Sequence, residues 1–175
     1  MSACAVTLRR VETAAAAPAE GLMDLLIDVV RGGASVGFLW PLERAEARAY
    51  WNAVLAELGE GLQLWVAESG GRVLGTVQLA PCLKPNGRHR AEVQKLLVDP
   101  AARGRGIASR LMAAVEAEAR VRGLTLLVLD TLVGSAADPI YRHLGWQHAG
   151  AIPDYAATPD GVLHATAVFY KRLNG

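Results

Sequence analysis

Between residues 91 and 131 the chain reads AEVQKLLV, then DPAARGRG, then IASRLMAAVEAEARVRG, then LTLLVLDT. A strand-like segment and a glycine turn lead into an alanine-rich helical stretch closed by Gly123, and a nearly continuous apolar strand follows. Strands joined by a helical crossover run parallel, since a tight turn can only reverse the chain. A strand that is apolar throughout has to be covered on both faces. The segment therefore predicts strands 91–98 and 124–131 side by side, bridged right-handedly by a helix over 106–122, inside an α/β domain with flanking helices.

The rest of the chain extends that sheet. AVTLRRV (5–11) reads as a first strand. Pro18 and Glu20 open an apolar-periodic helix that Gly32-Gly33 ends, with GGASVGF (32–38) as a flexible loop. Residues 43–58 are rich in alanine and glutamate and predict a second helix. LQLWVAE (62–68) and VLGTVQLA (73–80), separated by SGGR, predict a hairpin. KPNGRHR (84–90) is a polar loop. IYRHLG sits on a short helix closed by Gly145, and WQHAG and HATAVFYKRL (164–173) are the last two strands. No repeat, linker or boundary divides the 175 residues, so a single mixed-sheet domain over 1–175 is expected.

Composition narrows the function classes. Eighteen basic against 17 acidic residues leave a net charge of +1, too little for a general attraction to nucleic acid or an anionic membrane. Any anion site has to be built locally. Cys4 and Cys82 make neither a disulfide framework nor a zinc site. His89, His143, His148 and His164 lack metal-ligand spacing, so no metal is expected. Two arginines interrupt the first dozen residues before a signal-type apolar core forms, and no run reaches the ~18 residues of a membrane span, which predicts a soluble cytoplasmic protein. The number of subunits does not follow from the sequence; a homodimer is compatible with it.

The turn VDPAARGRGIASRLM (98–112) carries the most chemistry. Helix N-termini expose unpaired N–H groups and a partial positive charge, and glycine lets a ligand approach the backbone. Gly104 and Gly106 thus suit a phosphate group, with Arg103, Arg105 and Arg110 adding charge; the plain alternative is a tight turn with solvated arginines. No Gly-Lys-Ser/Thr follows, and GRGIAS places Ser109 where a dinucleotide fingerprint needs glycine.

The spacing present is Arg-x-x-Gly-x-Ala at Arg103, Gly106 and Ala108. It resembles the acetyl-coenzyme A pyrophosphate loop of the GNAT acetyltransferases, with KLLVDP as that family's strand exit and IYRHLGW (140–146) as its tyrosine helix. The resemblance implies acetyl-CoA as cosubstrate, held by Leu96, Leu97 and Val98 on the strand and by Arg103, Gly104, Arg105, Gly106, Ile107, Ala108 and Ser109 in the turn. GGASVGF, KPNGRHRAEVQKLLV and YAATPDGVLHATAVFYK resemble family members that acetylate a small β-lactam amino-acid toxin, which implies a small-molecule amine and a role in antibiotic resistance. Where many members have asparagine, seven residues before the helix tyrosine, this chain has Gly134, and Pro139 has to lie near the helix start.

Amine acetylation needs a neutral amine, a stabilised oxyanion and a leaving thiolate. The family position of the thiolate's proton donor is Tyr141; from the residues alone a core phenol at the helix–sheet seam is the alternative. Glu92 opens one parallel strand and Asp130 ends the other, so both can face one cleft as the bases. Glu92 can equally pair with Arg90 or Lys95, and Asp130 can cap the next loop. The resemblance assigns the oxyanion to a backbone N–H around Leu97 or Val98. Trp40, Trp51 and Trp65 line a pocket or the core, and loop 153–162 covers the amine site or simply connects two strands. A coenzyme A-binding module without catalysis, and an enzyme acting on a peptide or protein amine, are the rival readings.

Overall fold

The computed structural model describes residues 5–173. Seven strands form one mixed sheet: β1 (Thr7–Arg10), β2 (Gln63–Ser69), β3 (Arg72–Pro81), β4 (Arg90–Val98), β5 (Leu126–Leu132), β6 (Gln147–Ala157) and β7 (Leu163–Arg172). Their order across the sheet is β1-β2-β3-β4-β5-β7-β6, and β4 with β5 is the parallel pair. Helices α1 (Ala19–Arg31) and α2 (Arg44–Ala56) precede β2, α3 (Ile107–Val121) crosses from β4 to β5, and α4 (Ala137–His143) follows β5. The fold class is the expected one. Cys4 lies outside the described residues. Among the described residues no helix is long and apolar enough to cross a membrane.

Two cores lie on opposite faces of the sheet. On one face α1 buries Leu22, Leu25, Leu26 and Val29, residues spaced three and four apart, against Trp51 of α2 and Leu64 and Val66 of β2. On the other, α3 buries Ile107, Leu111, Met112 and Val115 against β3, β4 and β5. Gly75 of β3 permits the close approach of α3: a Cβ there would lie 2.9 Å from the Leu97 carbonyl oxygen and 3.0 Å from Ile107. Trp51 and Trp65 are core residues.

The central strand is not regular. Ala91 and Val93 point into the α3-side core, yet Leu97 belongs to the α1–α2 side, while Leu96 and Val98 pack against the α3 side. An unbroken strand with period two cannot do this. The parity changes at Lys95, whose φ is +49°, where the β3 register jumps from Gln78↔Gln94 to Thr76↔Leu97. The Thr76 hydroxyl donates to the Lys95 carbonyl at 3.1 Å and fixes the bulge.

Two stretches differ from expectation. The first half of segment 153–162 is strand: β6 runs to Ala157, and 158–162 turns. Pro153 and Asp154 (φ +49°) read as a turn, but they sit in an irregularity between Ile152 and Ala156 on an edge strand, where a missing N–H costs no ladder bond. Loop 32–38 is tied down: Gly33 (φ +88°) ends α1 with Gly33 N–H donating to Val30 and Ala34 N–H to Val29, and the Ser35 hydroxyl donates to the Ala157 carbonyl at 3.3 Å.

The far end of the sheet is held by one ionic knot. Lys171 Nζ of β7 donates to both Glu116 oxygens of α3 at 2.8 Å and to the Leu144 carbonyl at the end of α4 at 2.7 Å. Trp146 Nε1 donates to Glu116 at 3.2 Å. Glu116 is 8% exposed, so removing its charge leaves the half-buried Lys171 ammonium without its counter-charge. Glu116→Ala is expected to destabilise the fold by about 3 kcal/mol in urea titrations. Arg120→Ala, which removes an exposed partner 3.7 Å from the same carboxylate, should cost under ~0.5 kcal/mol.

Candidate active site

β4 and β5 pair only through Arg90↔Leu126, Ala91↔Leu127 and Glu92↔Val128. Beyond Glu92, β4 stays with β3 and β5 stays with β7, so the sheet opens. The wedge is a cleft of about 600 Å³ that reaches from Arg103 and Val98 at one end to Tyr155 and Thr166 at the other. Loop 32–37 walls one side and β6–β7 the other.

The open edge of β4 has directed backbone donors. Asp99 N–H donates to the Leu74 carbonyl at 2.8 Å, so Leu97, two residues earlier, also pairs with β3. Alternation turns the Val98 N–H toward the cleft. Of the two backbone groups expected from the sequence, it is Val98 that faces the opening.

Strand exit and helix start follow from short-range chemistry. Asp99 accepts from Ala101 N–H at 2.8 Å and from Arg72 Nη2 at 3.0 Å, closing the turn that Pro100 begins. Gly104 and Gly106 adopt φ +75° and +71°, and a Cβ on either would meet nothing within 4 Å, so the space above the turn is open. The α3 ladder starts with Arg110 N–H donating to the Gly106 carbonyl, which leaves the N–H groups of Ile107, Ala108 and Ser109 without intrahelical acceptors. This is a concave set of donors fit for a phosphate group. Arg103 lines the cleft and Arg105 is exposed on the turn. Arg110 does not face the turn's concavity as expected; its Nη2 donates to the Val6 carbonyl at 3.0 Å.

Glu92, Asp130 and Tyr141 all line the cleft. Glu92 and Asp130 are exposed to it, and Asp130 accepts from the Thr166 hydroxyl at 3.0 Å. Glu92 makes no ion pair with Arg90 or Lys95 among the described residues. Tyr141 is 6% exposed, packed on Trp146 and Phe169. Burial first, and then the negative charge of Asp130, push its phenol well above the ordinary range. It is thus both a core phenol and a cleft residue. Gly134 takes φ +72° in the loop after β5, and α4 begins at Ala137 with Pro139 inside its first turn, where no backbone donor is lost.

Lys95 also lines the cleft, a residue considered from sequence only as a partner for Glu92. The bulge turns it to the α1–α2 side, with its Nζ 5.8 Å from the Tyr50 ring centroid. Tyr50 accepts from Gln78 Nε2 at 2.9 Å, and burial raises its phenol to about 12. His164 lines the cleft too. Trp40 does not: it is 44% exposed, stacks under Arg31 and donates its N–H to the Pro159 carbonyl at 2.9 Å.

A family model described as the acetyltransferase (GNAT) family matches residues 22–146. An uncharacterized N-acetyltransferase from the hisH-hisA intergenic region of Azospirillum brasilense is 35% identical over 127 residues, covering 71% of this chain and 74% of that protein. Rat N-acetyltransferase 8 is 40% identical over 101 residues, covering 57% of this chain but only 45% of the rat protein. A solved structure from Salmonella typhimurium, described as an acetyltransferase with its cofactor acetyl-CoA, superposes with a TM-score of 0.77 at 19% identity, covering 98% of this chain and 95% of that one. That last likeness concerns the fold.

The raised Tyr141 phenol has a direct consequence. It should stay protonated while ordinary phenols ionise, so the ultraviolet titrations of wild type and Tyr141→Phe are expected to coincide between about pH 9 and 11. A missing phenolate in the variant over that range would contradict the buried placement.

Proposed function

The chain belongs to the acetyltransferase (GNAT) family, and on that premise we propose that it transfers the acetyl group of acetyl-CoA to the amine of a small molecule, by direct attack of that amine. The observation that carries the reading is the parting of β4 from β5 directly beside a glycine turn and a helix N-terminus. The α3 N-terminus, with Gly104, Gly106 and Arg103 to Ser109 around it, would hold the pyrophosphate. Leu96 to Val98 on the open strand edge would hold the pantetheine arm.

The residues then divide the proton work. A lysine-like amine, with pKa ~10.4, is about three units from neutral at pH 7, a cost of ~4–5 kcal/mol, and a nearby carboxylate can accept the proton that has to leave. Glu92 and Asp130 attract the ammonium and one of them takes its proton, with the Thr166 hydroxyl orienting Asp130. The Val98 N–H faces the charge that develops on the carbonyl oxygen. Tyr141 supplies the proton that the thiolate takes. A phenol holds its proton across neutral pH even without a shift; burial makes Tyr141 a weaker acid, so its donation to sulfur has to follow the build-up of charge there.

A small amine fits better than a protein chain. Loop 32–37 is joined to β6 across the amine end by the Ser35–Ala157 hydrogen bond, and the Trp40–Pro159 bond just beyond the loop ties the same segment to the β6–β7 turn, which narrows the approach. The finer resemblance of three segments to the tabtoxin resistance protein supports a β-lactam amino-acid toxin as one such substrate, and with it a role in antibiotic resistance. One catalytic domain acting in the cytoplasm, where acetyl-CoA is at hand, completes the proposal.

Thiol release measured over a panel of amines tests the activity. Acetyl-CoA should raise Tm, since it binds only the folded state. Gly106→Val should abolish that rise. Gly106→Asn, which tolerates the left-handed conformation, separates blocked approach from backbone strain, because it too should lose the shift while folding normally. Tyr141→Phe should keep the Tm shift and lower kcat by about 10²- to 10⁴-fold. A kcat within about twofold of wild type would remove the acid role.

A further inference from the structure

Lys95 is placed at a cost and satisfied by little. A non-glycine residue in the middle of a central strand takes φ +49°, which L side chains rarely adopt. The bulge it creates carries the side chain away from the α3 core and into the cleft. Its Nζ reaches Gly37, lying 3.6 Å from where a Cβ on that glycine would stand, and 5.8 Å from the Tyr50 ring centroid. Among the described residues no carboxylate comes within ion-pair distance of it. Burial lowers its pKa, while Asp130 and Glu92 act in the opposite direction from across the cleft. The Gln78–Tyr50 hydrogen bond fixes the ring beneath it.

Apart from Arg103 at the end beside the glycine turn, the cleft therefore has two electrostatic poles. Glu92 and Asp130 attract a cation, and Lys95, on the wall shared by β4, α2 and loop 32–37, offers an unpaired ammonium. A plain amine satisfies the first pole only and leaves the second half-buried without an anion, which is costly. A molecule carrying both an amine and a carboxylate satisfies both.

Resting on the acetyltransferase reading of this cleft, we propose that Lys95 is a specificity residue that binds the substrate's carboxylate, so that the enzyme selects zwitterionic, amino-acid-like amines over amines without an acid group. The bare backbone at Gly37 leaves room for that carboxylate beside Nζ.

The test uses the full chain and the common L-amino acids, each with its carboxamide and its decarboxylated amine. In thiol-release assays at saturating acetyl-CoA, the best amino acid should exceed its own carboxamide by at least about tenfold in kcat/KM. Lys95→Met should shrink that ratio by about 10- to 100-fold, through KM of the acid, the range expected for a lost charge-assisted hydrogen bond. Lys95→Arg should retain most of it. Equal losses for acid and carboxamide in Lys95→Met would overturn the proposal and make Lys95 a residue that merely shapes the cleft wall. A wild type indifferent to the carboxylate would also overturn it. If no amine releases thiol, the transferase reading fails and calorimetry decides Lys95 separately: the same amino acids should bind wild type and not Lys95→Met, and equal binding would refute the assignment.

Discussion

Everything in this molecule that bears on chemistry depends on β4 and β5 ceasing to pair after Glu92. Each strand is held elsewhere: β4 by β3 out to Val98, and β5 by β7 along Leu126–Leu132. The bulge at Lys95 adds twist to β4 at the point of parting, as an extra residue on one strand does. The opening supplies three things together. It frees the Val98 N–H, it sets Glu92 and Asp130 on facing walls, and it leaves the first turn of α3 at one mouth of the cleft. The Glu116–Lys171 knot and the Tyr141–Phe169 contact brace the β7 side, so the two halves of the sheet part without loosening.

Much of this was legible in the residues. The order of strands and helices, the crossover and the glycine turn all follow from strong local signals: apolar continuity in 124–131, helical periodicity, and glycines where φ is positive. Glu92, Asp130 and Tyr141 lie on one cleft because a parallel pair joined by α3 brings the start of one strand beside its neighbour. The bulge was not legible. A single extra residue leaves the pattern VQKLLV unremarkable, and only the change of face between Val93 and Leu97 exposes it. The sequence therefore offers Lys95 only as one alternative partner for Glu92, beside Arg90.

The other differences have the same origin in tertiary contact. Pro153 and Asp154 carry turn signals, yet pairing with β7 holds the flanking residues extended. Arg110 carries a charge suited to the anion site, but the nearby Val6 carbonyl takes its guanidinium. Loop 32–38 has a glycine-rich composition that reads as freedom, while hydrogen bonds to the end of α1 and to β6 assign it a fixed place as a wall of the cleft. Local propensity decided the elements; contacts between elements decided which groups face the opening.

Amide hydrogen exchange followed by NMR, with and without saturating acetyl-CoA, tests the central claim most directly. The Val98 N–H, turned to the parted edge, should exchange readily in the free protein and become strongly protected when acetyl-CoA is bound. The Leu97 N–H, already paired with β3, should be protected in both states. If Val98 is equally protected with and without acetyl-CoA, or if Leu97 is the amide that responds, the strand edge is not where the cosubstrate lies and the account of the site is wrong.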